Sequence, residues 1–269
     1  YGVLPWMHLS SLTEEGRFSS SRAETLLKSS HRQEALLEQI KEILKEKGYG
    51  GVDVDFEYLQ PGLAGAYAAF IERLRQELNK LGYTVQVALA PKVSRGQKGL
   101  LYESHDYAAL GRAANGALLM TYEWGYSAGP PMAVAPLDKV RQVVDYALGE
   151  IEAKKLFLGV PVYGYDWPLP YRQGATRGVS VAPQEALDLA RRQGAEIQFD
   201  ETAQAPWFRY TAADGRAHEV WFEDARSSYA KFRLAAEKGL QGVGLWNLMR
   251  PAVQTYLVLH GGFEIEEVR

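Results

Sequence analysis

The 269-residue chain contains no cysteine. That removes disulfides, thiolate zinc sites and a cysteine nucleophile, and it is compatible with either side of a cell membrane. No apolar run is long enough to span a bilayer and no signal peptide is visible. An excess of basic charge is missing too: 30 Lys and Arg against 33 Asp and Glu leave a formal net charge of −3. Such a balance offers neither a footprint for nucleic acid nor a polybasic membrane anchor. Low-complexity stretches and linkers are also lacking. What is plentiful is aromatic. The 6 Trp and 16 Tyr exceed the needs of a core, and rings with a polar edge suit the flat faces of sugars, as they also suit protein interfaces.

The length allows one large α/β domain or two modest ones. Apolar segments alternate with amphipathic ones along most of it. Strands are expected at 3–9, 50–58, 84–91, 117–124, 156–163 and 242–247. Between them, helical spacing predicts helices at 34–47 (Leu36, Leu37, Ile40, Ile43, Leu44), after Pro61-Gly62 (Tyr67, Phe70, Leu74, Leu78, Leu81), and near 106–113, 137–148 and 226–238. Strands spaced by crossover helices pair in parallel, and near-continuous apolar strands imply a sheet covered on both faces. The rhythm changes over 166–223, where a helix at 183–192 and strands at 196–200, 207–210 and 218–222, the last two joined by an Asp214-Gly215 turn, predict a small α+β insertion. The barrel portion is then 1–165 with 224–269. Six core strands result, whereas a (β/α)8 barrel needs eight. Either the sheet is open, or two strand–helix units precede Tyr1.

Chemistry concentrates in Gly50-Gly51-Val52-Asp53-Val54-Asp55-Phe56-Glu57-Tyr58. Alternation along a strand puts Asp53, Asp55 and Glu57 on one face and Val52, Val54 and Phe56 on the other. A solvated acidic face is the plain alternative. The flanking helices and apolar strands argue instead that both faces are covered, and buried carboxylates in a row are usually kept for chemistry. His8, near the end of its apolar strand, could face a site, although a single histidine in such a strand is more often a satisfied core residue.

These segments resemble glycoside hydrolase family 18. Gly51-Val52-Asp53-Val54-Asp55-Phe56-Glu57 is similar to the family's fourth-strand signature, with Gly50 where the first motif aspartate stands. Met120-Thr121-Tyr122 is similar to the sixth-strand motif, and Trp246 stands where the eighth-strand tryptophan does. Met120-Thr121-Tyr122-Glu123-Trp124-Gly125-Tyr126, Tyr163-Gly164-Tyr165-Asp166-Trp167 and Val220-Trp221-Phe222-Glu223-Asp224-Ala225-Arg226 resemble the spore cortex-lytic N-acetylglucosaminidase branch. The resemblance implies a (β/α)8 TIM barrel whose first two strands are absent from this chain, with the insertion between strands seven and eight. It implies a retaining, substrate-assisted β-N-acetylglucosaminidase acting on cortex peptidoglycan. Glu57 would be acid and base, Asp55 would hold the acetamido group, Asp53 would share a proton with Asp55, and Tyr122 would bond the acetamido oxygen. Trp246 would floor the site, with Met120, Glu123, Trp124, Tyr163, Tyr165 and Trp167 binding substrate. Trp207 and Trp221 would either wall the groove or fill the insertion.

No cofactor and no metal are expected. The implied partner is a polysaccharide, peptidoglycan or chitin, met by a monomer in the spore coat or cortex or the extracellular cell wall, with room for upstream wall-binding modules. A chitinase shares the motif, since both substrates carry a 2-acetamido group. A non-catalytic lectin is the rival of another class, although lectins of this fold commonly lose the acid that Glu57 supplies. A metal-dependent barrel hydrolase, with the acids as Mg²⁺ ligands, is the third.

Overall fold

Helix boundaries follow local chemistry. In the computed structural model, which describes residues 3–265, the chain divides into two units. The first holds the residues up to Met120 together with Val143–Phe157, and the second holds Thr121–Gln142 and Leu158–Ile265. The outermost residues of the expected barrel portion, 1–2 and 266–269, lie outside the described residues.

The first unit opens with β1 (Met7–Ser10), α1 (Ser20–Leu27), α2 (Ser30–Lys47) and β2 (Gly51–Asp55). It continues with α3 (Ala64–Asn79), β3 (Thr84–Leu89), α4 (Tyr107–Ala113) and β4 (Gly116–Leu119). Two further elements, α5 (Leu137–Leu148) and β5 (Leu156–Pro161), have part of their length in each unit. The Ser29 hydroxyl accepts from the Arg32 N–H to start α2, and Gly48, at φ 67°, ends it in the left-handed conformation glycine tolerates best. Leu37, Ile40 and Leu44 face inward from that helix. Tyr67, Phe70, Leu74 and Leu78 do the same from α3. Leu81, expected on that face, lies past the helix end and is 55% exposed.

The strand order in this unit is β1-β2-β3-β4, followed by the start of β5, and β1 to β4 pair in parallel. Val52 and Val54 of β2 are fully buried on one face. Phe56, just past the strand, stacks on Tyr67 at 5.7 Å and Phe70 at 5.9 Å, and burying such a ring is worth about 1.5–3 kcal/mol. Gly51 is required by its neighbour: a Cβ there would collide with the Thr84 carbonyl of β3. A side chain at Gly50 would run into Leu4, which accounts locally for glycine at that motif position.

The second unit takes the rest of β5 and then β6 (Gly164–Pro168), β7 (Val179–Val181), α6 (Pro183–Gln193), β8 (Gln198–Asp200), β9 (Ala205–Thr211) and β10 (Ala217–Trp221). It ends in α7 (Ala225–Glu237), β11 (Gly242–Trp246), which lies beside β5, and α8 (Val253–Gly262). An antiparallel sheet in the order β7-β6-β10-β9-β8 forms the insertion. Ala186 and Ala190 of α6 pack on Phe208, Val220 and Phe222 to make its core. Gly215, at φ 80°, turns the chain between β9 and β10.

The fold class is therefore the expected one, α/β with six strands in the main sheet and an antiparallel insertion before the last of them. The strands of the main sheet are shorter than the runs that announced them, whereas β9 of the insertion is longer than the expected 207–210. The expected strand over 117–124 stops at Leu119, and the one over 50–58 stops at Asp55. The helices α1 and α8 and the strands β6 and β7 had no counterpart in the sequence reading.

Candidate active site

In the first unit, parallel register places His8 of β1 opposite Asp53 of β2, and Ser10 opposite Asp55. His8 Nδ1 lies 3.1 Å from Asp53 Oδ2, while its Nε2 lies 3.7 Å from Asp55 Oδ2. The His8 side chain is 45% exposed, so it is a member of the acidic cluster and not the core histidine expected from the sequence. The other carboxylate oxygens, Oδ1 of Asp53 and of Asp55, are buried with no hydrogen-bond partner among the described residues. Asp55, with 11% of its side chain exposed, has its pKa pushed up to about 6. Burial is the main cause, His8 opposes it and the Asp53 charge adds to it. The His8 imidazole is raised above its usual value by its hydrogen bond to Asp53 and by both carboxylate charges, against the effect of burial.

Glu57 sits two residues beyond the end of β2 and is half-buried. Tyr58, the next residue, is held at φ 54°. That region costs a non-glycine residue on the order of 1–3 kcal/mol, and such strain gathers at sites where a side chain must be aimed. The Ser20 hydroxyl of α1 donates to the Tyr58 carbonyl. Behind this turn His105 is wholly buried: its Nδ1 accepts from the Ala90 N–H at 3.0 Å, so its Nε2–H donates to the Phe56 carbonyl at 3.1 Å. Met120, also expected in the site, is buried after β4.

The second unit gathers most of the aromatic candidates. Tyr122 stacks on Trp246 at 6.3 Å with the rings 14° apart, and Trp246 keeps 46% of its surface exposed. Glu123, at φ 65°, accepts from the Tyr163 hydroxyl and from Tyr165 at 3.0 Å. Both phenols are driven well above their usual pKa, by burial first and the Glu123 charge second. Trp124 is half-buried, and its backbone N–H donates to the Val134 carbonyl. Trp167 packs on Tyr165 at 5.4 Å with no exposed surface, within β6 and not at a strand exit. Trp207 and Trp221 stack on each other at 5.6 Å across β9 and β10. Among the described residues no group of three or more His, Cys, Asp or Glu side chains is placed to hold a metal ion.

The sequence pattern described as "Glycosyl hydrolases family 18" matches residues 13–250. The chain belongs to glycosyl hydrolase family 18. Within that family it is 45% identical, over 252 residues, to the "Cortical fragment-lytic enzyme" of Bacillus subtilis, covering 94% of this chain and 58% of that protein. Its structure is similar to that of the Bacillus megaterium spore cortex-lytic enzyme SleL, with a TM-score of 0.95, 42% identity, and 99% of this chain and 61% of the other covered. A chitinase from Chromobacterium violaceum matches with a TM-score of 0.89 and 27% identity over 97% of this chain and 80% of its own. The chain thus spans about three-fifths of the cortex-lytic relatives. Against the family 18 signature, the residue that sequence reasoning missed is His8. Its signal was non-local: only the parallel register of β1 on β2 brings it level with Asp53.

Proposed function

We propose that this family 18 chain is the hydrolytic part of a retaining β-N-acetylglucosaminidase that cuts GlcNAc-containing cortex peptidoglycan by substrate assistance. The observation that carries the reading is the β2 row: Asp53 and Asp55 on one face, Asp55 buried and holding its proton to about 6, and Glu57 just beyond the strand end. One acid in reach of the glycosidic oxygen suffices when the substrate supplies the nucleophile. Glu57, protonated, gives its proton to the leaving oxygen while the acetamido carbonyl oxygen attacks the anomeric carbon from the opposite face. The glycosidic bond breaks and a cyclic oxazolinium forms. Asp55 accepts the acetamido N–H and offsets the growing positive charge, Asp53 supports Asp55, and the Tyr122 hydroxyl donates to the acetamido oxygen. Glu57, now a carboxylate, takes a proton from the water that opens the ring, which returns the original anomeric configuration. Acid–base roles of this kind contribute about 10²–10⁴ in rate. Trp246 offers an exposed ring for the sugar face, and Met120, Glu123, Trp124, Tyr163 and Tyr165 shape the binding surface. Trp167, being enclosed, serves as backing for Tyr165. Residues 166–223 form the subdomain beside this barrel portion.

The names of the cortex-lytic relatives favour peptidoglycan and a place in the spore or cell wall. The chitinase match favours a second reading, chitin, which carries the same acetamido group. Digestion of spore cortex fragments and chitin oligosaccharides, wild type beside Glu57→Gln, with products read by mass, separates them. The expected result is cleavage after GlcNAc in cortex fragments, reduced by at least about 10²-fold in the variant. Cleavage of chitin alone moves the chain to the second reading. Binding with no turnover of either substrate makes it a lectin.

A further inference from the structure

We infer that His8 is a positioning residue for the acidic row, hydrogen-bonded to one oxygen of Asp53 and facing one of Asp55, so that it fixes the orientation of both carboxylates. The inference rests on the assignment of Asp55 to the acetamido group and deepens it. Each ring nitrogen addresses a different carboxylate: Nδ1 meets Asp53 Oδ2 at 3.1 Å, and Nε2 faces Asp55 Oδ2 at 3.7 Å. Asp53 Oδ2 is thereby hydrogen-bonded and Asp55 Oδ2 lies within ion-pair reach, while Oδ1 of each carboxylate is buried without a partner among the described residues. Parallel strands set the level of the imidazole, so its height relative to Asp53 is fixed by backbone hydrogen bonds and not by a flexible loop.

The arrangement also links proton positions. A protonated imidazole has a donor for each carboxylate, whereas a neutral one donating to Asp53 turns a lone pair toward Asp55. Loss of the His8 proton therefore makes the Asp55 charge less favourable. The titratable groups bearing on the pair are few. Asp53 and Asp55 of β2 face the imidazole, and Tyr67 of α3 lies behind them, its phenol kept neutral by burial and by the charges of Asp55, Asp53 and Glu57. With His8 removed, Asp55 should need a higher pH to ionise, because the group that opposes its upward shift is gone.

Two measurements test this, and only one depends on turnover. In the resting protein, NMR titration of the five histidines, with His8 assigned by His8→Gln, should give His8 a midpoint above that of a free imidazole. In Asp53→Asn that midpoint should fall back. A midpoint that does not respond to Asp53→Asn overturns the inference. On cortex fragments, His8→Gln should move the acid limb of kcat/KM to higher pH and lower kcat by up to about 10²-fold, the cost of a slightly misplaced group, with KM little changed. A profile merely scaled down, its limbs unmoved, would mean that His8 is structural and would also overturn it. If the wild type turns over no substrate while the titration behaves as expected, the hydrolytic reading falls and the pairing of His8 with Asp53 stands.

Discussion

A carboxyl buried away from water is a liability to the fold, and Asp55 shows how large. Its side chain is 11% exposed, so water screens it little, and its pKa stands near 6 against an ordinary 3.8. The native state therefore binds more protons than the unfolded chain between those values. Stability from this group is fully present below about pH 4 and is lost as the pH rises through 6, a change of about 3 kcal/mol at most. Asp55→Asn should thus abolish turnover and yet leave the protein more stable than wild type at pH 7, with the gain fading toward pH 4. Urea unfolding at both values measures it, and equal or lower stability at pH 7 would refute the assignment of burial as the cause. The alternation of Asp53 and Asp55 was legible in the sequence because a strand has period two. His8 was not legible: nothing local distinguishes a core histidine from one whose neighbouring strand brings two carboxylates to it.

Elements are fixed by spacing where they are long and by neighbours where they are short. The apolar faces of α2 and α3 were readable from their helical period, and the Gly48 stop from its chemistry. The strand ends were not, because the patterns over 50–58 and 117–124 carry on past Asp55 and Leu119, where the strands stop, as far as the turns at Tyr58 and Glu123 with positive φ. Each turn adjoins or contains a candidate residue of its own unit, Glu57 beside Tyr58 and Glu123 itself, and there local preference yields to the aiming of a side chain. The turn after β2 has a strap, His105, tying the Ala90 N–H to the Phe56 carbonyl. Burial pushes its pKa from 6.5 down to about 4. The unfolded chain takes up this proton first, so stability is lost as pH falls from 6.5 to 4, again by about 3 kcal/mol at most. Asp55 and His105 therefore act in opposite directions over nearly the same window. His105→Leu should expose the Asp55 trend: relative to wild type, its deficit should narrow as the pH falls from 6.5 toward 4. Its two abandoned backbone groups should cost about 2–6 kcal/mol at neutral pH, and kcat should fall because Phe56 precedes Glu57. A deficit that stays constant across that window would show that His105 takes its proton while folded.

At the scale of the molecule, the alternation of apolar and amphipathic segments revealed the α/β class, and the break in rhythm after Tyr165 revealed the insertion. Helix α1 escaped because it is short, and α8 because it is apolar around its circumference and shows no stripe. The same whole-chain logic separates the substrate-assisted route from the metal-dependent one, in which Asp53, Asp55 and Glu57 would serve as Mg²⁺ ligands. A hard cation of that kind wants near-octahedral oxygen ligation, while here Asp53 spends one oxygen on His8 and Asp55 keeps its proton to about 6. In the substrate-assisted reaction every proton and electron pair is supplied by Glu57, the acetamido group and water. Turnover of cortex fragments after exhaustive dialysis against EDTA should therefore match the untreated enzyme, and added Mg²⁺ should leave kcat unchanged. A fall of tenfold or more (about 1.4 kcal/mol in the barrier) that Mg²⁺ restores would transfer the acidic row from proton chemistry to metal ligation.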